Sequence, residues 1–197
     1  MQAFWQQAHR ICKSQRSIIA LFSAQPFTTD LIISNRKCFR YEIIWEKTIA
    51  AGYLNANRRP LKAHENILIF SQKFEGSTYN PQKTSGSSYI KKRRGQESSH
   101  YNLVENTCTE NKGDRFPRSV LHYPTAQKEG HPTSKPLNLV RCLILTYSNE
   151  NEVVLDPFMG SGTTAVACAQ TNRKYIGVEK SPEYIDLANR RLYGATA

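Results

Sequence analysis

The first part of the chain, residues 1 to about 72, alternates between helical and extended spacing of its apolar positions. A helix is predicted near the N-terminus, where one face would carry Phe4, Trp5, Ala8, Ile11 and Cys12. Ser17–Phe22 is a short continuous apolar run, as expected of a buried parallel strand. A helix over Phe27–Asn35 and strands over Tyr41–Trp45 and Ile67–Phe70 are predicted to follow. This alternation of elements is typical of a layered α/β fold.

The last third of the chain repeats the alternation with clearer boundaries. A proline can start a helix, and from Pro136 onward helical spacing relates Leu137, Val140, Leu143, Ile144 and Tyr147. Strand Val153–Leu155, helix Ala165–Ala169 and strand Tyr175–Val178 are predicted next. Ser181 is the expected N-cap of a final helix, whose apolar face would consist of Tyr184, Leu187, Ala188 and Leu192. We expect these apolar residues to form core.

Residues 73 to about 130 differ, because they are rich in polar and basic residues and contain few apolar runs. Such a stretch buries little surface by itself, so it is expected to be a long surface loop or partly disordered. It contains the run Lys91, Lys92, Arg93 and Arg94, between Tyr89 and Tyr101. Cations that neutralise phosphates and aromatic rings that stack on bases suit contact with DNA. A solvated loop without a partner is the alternative.

The overall charge is compatible with a polyanionic partner. The 197 residues carry a formal net charge of +11, which suits nucleic acid. The five cysteines, Cys12, Cys38, Cys108, Cys142 and Cys168, include no Cys-x-x-Cys pair, which argues against a zinc site or a disulfide framework. We therefore expect a reducing cytoplasm and no metal. No apolar run reaches the ~20 residues of a membrane span, and no secretory signal is recognised at Met1–Gln7.

The segment Asp156–Thr164 carries the strongest chemical signal. It lies between a predicted strand and a predicted helix and contains Gly160 and Gly162, which allow a sharp turn and a close approach to a ligand. Glu179 ends the next predicted strand, where a carboxylate can accept hydrogen bonds from two ribose hydroxyls. A phosphate-binding NTPase loop is disfavoured because Thr163 stands where it needs a lysine. A nicotinamide dinucleotide and S-adenosylmethionine both remain candidate ligands.

The same residues resemble the DNA amino-methyltransferases, which methylate adenine N6 or cytosine N4. The resemblance lies in Asp156-Pro157-Phe158-x-Gly160-Ser161-Gly162-Thr163-Thr164, in the acid Glu179 and in His131-Pro132-Thr133-Ser134-Lys135-Pro136. It continues upstream through Arg40–Lys47, Gly52–Ala56 and His64–Phe70, in the permuted order that places the catalytic half before the cofactor half. This resemblance implies S-adenosylmethionine as cofactor and double-stranded DNA as partner. The implied cofactor-binding residues are Asp156, Phe158, Gly160, Gly162, Thr163 and Glu179, with Thr133 and Lys135 near the methionine end.

The resemblance also implies an architecture. We expect a Rossmann-like α/β sheet with helices on both faces, truncated at the N-terminus. Residues 1–72 would form the remainder of the catalytic half, 73–130 a basic insert for target recognition, and 131–197 the cofactor half. The DNA-binding candidates are then Lys91, Lys92, Arg93 and Arg94.

One element of the family pattern is missing. Such families use a four-residue loop of Asp, Asn or Ser, then Pro-Pro, then an aromatic residue, whereas the nine prolines here include no adjacent pair. No catalytic residue is therefore identified, and we expect the chain alone not to methylate DNA unless an upstream fragment supplies the loop. Adenine is favoured over cytosine from the segments around Gly52 and His64. A cytosine-N4 enzyme, a non-catalytic DNA-binding remnant and an NAD-dependent oxidoreductase remain alternatives.

Overall fold

A computed structural model describes residues 1–93, 106–126 and 133–196. The five helices of these residues are α1 (Gln2–Ile11), α2 (Phe27–Ser34), α3 (Leu137–Tyr147), α4 (Thr163–Gln170) and α5 (Pro182–Thr196). The strands are β1 (Ile19–Ser23), β2 (Phe39–Ala51), β3 (Lys62–Phe70), β4 (Thr84–Ser85), β5 (Tyr89–Arg93), β6 (Thr107–Asn111), β7 (Asp114–Arg115), β8 (Val120–Tyr123), β9 (Val153–Asp156) and β10 (Lys174–Gly177). The mixture of helices and strands confirms the predicted α/β class.

A four-stranded sheet in the order β1-β3-β2-β8 supports most of the core. Its central strand β3 ends in four fully buried residues, Ile67, Leu68, Ile69 and Phe70. Because side chains alternate across a strand, Leu68 and Phe70 face one side of the sheet and Ile67 and Ile69 face the other. An apolar run without polar interruption is what a strand covered on both faces requires.

Helices cover both faces of this sheet, as the sequence predicted. On one face, Trp5 of α1 and Leu31 of α2 pack against Leu68 and Phe70, and the Trp5 indole donates a 2.8 Å hydrogen bond to the Ser34 hydroxyl. On the other face, α3 contributes the buried side chains Leu139 and Leu143.

The pairing of β1 corrects one expectation. The run Ser17–Phe22 was expected to form a parallel strand, but β1 pairs antiparallel with β3, with Ile19 opposite Phe70. β2 is also antiparallel to β3, and the only parallel neighbour among the described strands of this sheet is β8 beside β2. A continuous apolar run reports burial rather than direction, so the sequence did not distinguish the two arrangements.

A second, smaller sheet contains only β9 and β10 in the described part of the chain, and these strands are parallel. α4 connects them along the sequence. α3 and α4 cover one face through Val140, Ile144 and Ala167, which pack near Val154. In contrast, the side chains of Val153, Leu155 and Ile176 are exposed.

Residues Pro81–Pro117 form a separate compact unit, whereas Met1–Asn80 and Arg118–Ala197 form the other. The separate unit contains two short antiparallel ribbons, β4 with β7 and β5 with β6. Sequence patterning predicted a loop or disorder here and missed these strands, because their residues are mostly exposed and polar. Within the described ranges, no helix has the length and apolar character needed to cross a membrane.

Candidate cofactor site

The turn between β9 and α4 is shaped by its own polar side chains. One carboxylate oxygen of Asp156 accepts the Phe158 backbone N–H at 3.0 Å, and the other accepts the Thr164 hydroxyl at 2.5 Å. The Met159 and Val178 backbones tie the turn to the end of β10, since the Met159 N–H donates to the Val178 carbonyl at 3.0 Å. Asp156, which the sequence marked as a ligand of the cofactor, therefore also braces the turn.

Glu179 lies directly against this turn. Its Oε2 accepts the Gly160 backbone N–H at 3.0 Å, while its Oε1 accepts the N–H groups of Lys180 at 2.8 Å and Ser181 at 2.9 Å. Parallel strands β9 and β10 bring this about, because their carboxyl ends lie at the same edge of the sheet. The acid and the glycine turn that the sequence singled out thus meet in one place.

The backbone conformation of the turn accounts for its two glycines. Gly160 and Gly162 both have positive φ, at 52° and 78°, where residues with a Cβ are strained. A Cβ at Gly162 would also stand 2.6 Å from the Cβ of Ala188 in α5. The space next to Gly162 is therefore occupied by the last helix, which packs closely against the turn.

Arg191 is a site residue that the sequence did not reveal. Its guanidinium donates to the Ser161 carbonyl at 2.7 Å, to the Ser161 hydroxyl at 2.8 Å and to the Thr163 hydroxyl at 3.1 Å. Ser161 and Thr163 are both buried. α5 thus holds the glycine turn by packing at Ala188 and by hydrogen bonds at Arg191. No local motif marks an arginine in a C-terminal helix for this role.

The second predicted cofactor element meets the same turn. The hydroxyls of Ser134 and Ser161 share a 3.0 Å hydrogen bond, so the segment that carries Thr133 and Lys135 is fixed beside the glycines. The Lys135 ammonium donates to the Thr133 carbonyl at 3.3 Å. His131 and Pro132 of this element lie outside the described residues.

Lys135 also belongs to a charged cluster with Lys47 and Glu65. Its Nζ is 3.4 Å from the Glu65 Oε2, and Lys47 forms an ion pair with the same carboxylate. Burial raises the pKa of Glu65, but the two ammonium groups outweigh burial and hold that pKa below its usual range. Each ammonium also lies over an aromatic ring: Lys135 at 5.4 Å from the centre of the Phe22 ring and Lys47 at 4.7 Å from that of Trp45.

Phe158 and the basic run are exposed. The Phe158 side chain is 78% exposed on the glycine turn, available to an aromatic or apolar ligand group. In the separate unit, Lys91, Lys92 and Arg93 are all exposed on β5, whereas Arg94 and Tyr101 lie outside the described residues. The Arg115 guanidinium carbon lies 5.0 Å from the centre of the Tyr89 ring on the same strand β5.

The geometry is thus a strand, a glycine turn, a helix and a strand-end acid, joined by a lysine-bearing segment. A family model described as DNA methylase, for N6/N4 methyltransferases, matches residues 1–190. The chain belongs to the N6/N4 DNA methylase family. Within residues 1–93, 106–126 and 133–196, no group of three or more His, Cys, Asp or Glu side chains is placed to hold a metal ion.

Curated proteins similar to this N6/N4 DNA methylase include a type II methyltransferase, M.HpaI of Haemophilus parainfluenzae. It is 35% identical over 135 residues, which are 66% of this chain and 38% of the relative. The DNA adenine methyltransferase YhdJ of Escherichia coli K12 is 28% identical over 195 residues, 94% of this chain and 63% of YhdJ. The chain therefore spans between about two fifths and two thirds of the length of these relatives.

Solved structures confirm the fold. The complex of M1.HpyAVI with S-adenosylmethionine aligns with a TM-score of 0.63 and 26% identity, covering 91% of this chain and 76% of that one. The cytosine-N4-specific PvuII DNA methyltransferase aligns with a TM-score of 0.65 over 96% of this chain and 69% of that one. At 15% identity, the second likeness concerns the fold alone.

Proposed function

We propose that this N6/N4 DNA methylase binds S-adenosylmethionine at the glycine turn and serves methylation of adenine N6 in double-stranded DNA. The observation that carries the proposal is the Glu179 carboxylate held against Gly160, in the turn that leads into α4. A carboxylate at the end of the second strand, beside a glycine turn, suits the two hydroxyls of a ribose. The M1.HpyAVI complex, similar to this chain in sequence and fold, supports the choice of cofactor.

The bound cofactor would supply a methyl group on a sulfonium, which transfers to the exocyclic nitrogen of the base. Glu179 would accept the ribose hydroxyls, and the turn from Gly160 to Gly162 would pass close to the nucleoside. Phe158, exposed on that turn, offers a ring to the ligand. Thr133 and Lys135 would hold the methionine end, since the Lys135 ammonium suits a carboxylate. Asp156 and Thr163 would keep the turn in shape through their hydrogen bonds.

The cofactor assignment is tested by titration calorimetry with S-adenosylmethionine. Glu179→Ala is expected to weaken binding by about 2 to 3 kcal/mol, because a charged hydrogen-bond acceptor is lost. Glu183→Ala, which removes an exposed acid from the first turn of α5, is the matched control and should bind normally. Unchanged affinity of a folded Glu179→Ala protein would remove the assignment. A parallel titration with NAD tests the oxidoreductase alternative, which expects NAD to bind in place of S-adenosylmethionine.

We assign the DNA contact to the basic run on β5. Lys91, Lys92 and Arg93 are exposed cations, and Arg94 extends the run outside the described residues. Each phosphate that a cation neutralises contributes about 0.9 to the slope of log affinity against log salt. Replacing the four residues by Ala should therefore flatten that slope by about 3 to 4 units. An unchanged slope would make the run an ordinary solvated surface.

Adenine is proposed over cytosine because the similarity to YhdJ, a DNA adenine methyltransferase, extends over 94% of the chain. The base must leave the stack before its amino group can react, because that group faces its pairing partner. Nucleoside analysis of methylated DNA distinguishes the two products directly. N4-methylcytosine as the sole product would contradict the assignment.

We further propose that methylation needs a separate segment bearing the Pro-Pro loop. The sequence has no adjacent prolines, and among the described strands β1 pairs with β3 alone and β9 with β10 alone. Each strand therefore has a second edge at which another strand can pair. Labelled methyl transfer to DNA is expected only when such a segment is co-expressed. Transfer by this chain alone, above a Gly160→Trp control, would contradict this proposal.

A further inference from the structure

The hairpin between β2 and β3 exposes apolar side chains at its tip. Tyr53 is 80% exposed and Leu54 is 96% exposed, with Ile49 and Leu61 also exposed on the adjoining strand and loop. Exposed apolar residues that are grouped on one turn, unlike single scattered ones, suit an interaction surface. Nothing in the cofactor site described above uses them.

The tip has a defined shape of its own. Gly52 takes the left-handed conformation, at φ 93°, and a single turn of 3-10 helix over Tyr53–Asn55 follows. The Asn55 N–H donates to the Gly52 carbonyl and the Arg58 and Arg59 N–H groups donate to the Asn55 carbonyl, all at 2.9 to 3.0 Å. These local bonds organise the backbone of the tip. Tyr53 and Leu54 are therefore presented on a turn that its own backbone organises.

The charge around the tip selects the partner. From Lys47 to His64 the sequence carries four cations, Lys47, Arg58, Arg59 and Lys62, and no acid. Arg58, Arg59 and Lys62 are exposed beside the apolar pair. Apolar wedges flanked by cations are a device of proteins that part stacked base pairs, since the cations hold the phosphates while the wedge enters the stack.

The hairpin also begins at the cofactor site. Lys47 on β2 and Glu65 on β3 stand at its base, and Glu65 pairs with Lys135 of the proposed methionine end. A device that opens the base stack is useful at this position, because the target base must leave the duplex to reach the methyl group.

We propose that the hairpin tip, residues 52–62, is a wedge that enters double-stranded DNA: Tyr53 and Leu54 insert between stacked bases while Arg58, Arg59 and Lys62 contact the phosphates. This inference rests on the DNA partner of the proposed function, but not on its cofactor or on the basic run of β5. Insertion supports the opened stack from which the base leaves.

The test measures binding of the 197-residue protein to a fluorescein-labelled duplex of mixed sequence over a range of salt. Tyr53→Ala/Leu54→Ala should weaken binding about tenfold, within the range known for lost base stacking, and leave the salt slope unchanged. Arg58→Ala/Arg59→Ala should lower the slope by about 2 units. A duplex containing 2-aminopurine should brighten on binding of the wild type and less on binding of Tyr53→Ala/Leu54→Ala.

Matched controls separate the wedge from general effects. Ile33→Ala/Tyr193→Ala removes two other exposed apolar groups, which lie on helices, and Arg36→Ala/Lys37→Ala removes two exposed charges from another loop. Both should bind the duplex and brighten 2-aminopurine like the wild type. Because Tyr53 and Leu54 are so exposed, circular dichroism should show an unchanged fold in their variant.

The wedge is excluded if Tyr53→Ala/Leu54→Ala binds and brightens 2-aminopurine like the wild type. It is also excluded if the wild type does not bind duplex DNA, which would remove the DNA partner as well. If S-adenosylmethionine fails to bind but the tip variants still lose DNA affinity, the cofactor proposal fails and the wedge stands. If the β5 variant alone weakens binding, the DNA contact lies on β5 and the wedge fails.

Discussion

The two sheets of the larger unit are held in different ways. In the four-stranded sheet, β3 ends in four fully buried residues between α1 and α2 on one face and α3 on the other. In the β9–β10 sheet, helices cover the face of Val154, but Val153, Leu155 and Ile176 remain exposed. The glycine turn at the end of this second sheet is fixed instead by hydrogen bonds that the Asp156 and Glu179 carboxylates accept and the Arg191 guanidinium donates.

Apolar burial in the first sheet mainly determines stability, whereas hydrogen bonds at the end of the second sheet determine the geometry of the turn. Apolar burial is nondirectional and scales with area, so it stabilises the four-stranded sheet without fixing individual atoms. Hydrogen bonds are directional, and those of the turn set the positions of backbone N–H groups and of the Glu179 carboxylate. We therefore expect substitutions in the first region to change mainly the free energy of unfolding, and substitutions in the second to change cofactor affinity as well.

The largest effect is expected in the four-stranded sheet. Ile69→Ala removes a fully buried side chain from β3 and should lower the free energy of unfolding by about 2 to 5 kcal/mol. Val153→Ala in the exposed face of β9 should lower the free energy of unfolding by less than about 1 kcal/mol. Urea denaturation of both variants measures the difference. Equal losses would show that the described contacts do not distinguish the two sheets in solution.

An intermediate effect is expected at Arg191. Arg191→Ala leaves the buried Ser161 and Thr163 without their guanidinium donor. This loss should lower the free energy of unfolding by about 1 to 3 kcal/mol. We expect S-adenosylmethionine affinity to fall, because the turn between the two glycines loses its anchor to α5. The neighbouring Arg190 is exposed, and Arg190→Ala provides the matched control. Calorimetry on the two variants decides, and identical affinities would contradict a polar anchor.

The smallest effect concerns pH at the Lys47–Glu65–Lys135 cluster. The folded-state pKa of Glu65 lies below its unfolded-state value, so the ionised form stabilises the fold above the unfolded-state pKa. This contribution is lost as pH falls through the folded pKa. The stability difference between wild type and Glu65→Gln should therefore shrink on acidification from neutral pH. A difference that stayed constant down to strongly acid pH would exclude an ionised Glu65.

Some elements of the fold could be predicted from the sequence because their signals are local. The run Ile67–Phe70 predicted a strand, and the spacing after Pro136 predicted α3. The direction of β1 relative to β3 could not be predicted, since an apolar run carries no information about its partner strand. The ribbon of β5 and β6 was missed because both strands are nearly all exposed and polar, without the alternation that marks a half-buried strand.

The candidate site shows the same limit. Gly160, Gly162 and Glu179 were recognised because a turn, a helix start and a strand-end acid follow one another in a short stretch of sequence. Arg191 meets Ser161 from thirty residues away, and Glu65 meets Lys135 across a still longer separation. Such contacts are set by the packing of α5 against the glycine turn and of α3 against β3. Neither leaves a periodic or compositional trace in the sequence.

The fit of Gly162 against Ala188 restricts the residues that two distant positions can accept. A Cβ at 162 would stand 2.6 Å from the Cβ of Ala188 and 3.0 Å from its Cα, so shortening residue 188 to glycine relieves only part of the overlap. In a library randomised at both positions, folded members should therefore keep glycine at 162 and accept only glycine or alanine at 188. Any attempt to redesign the last helix of this protein begins with a constraint imposed by the glycine turn.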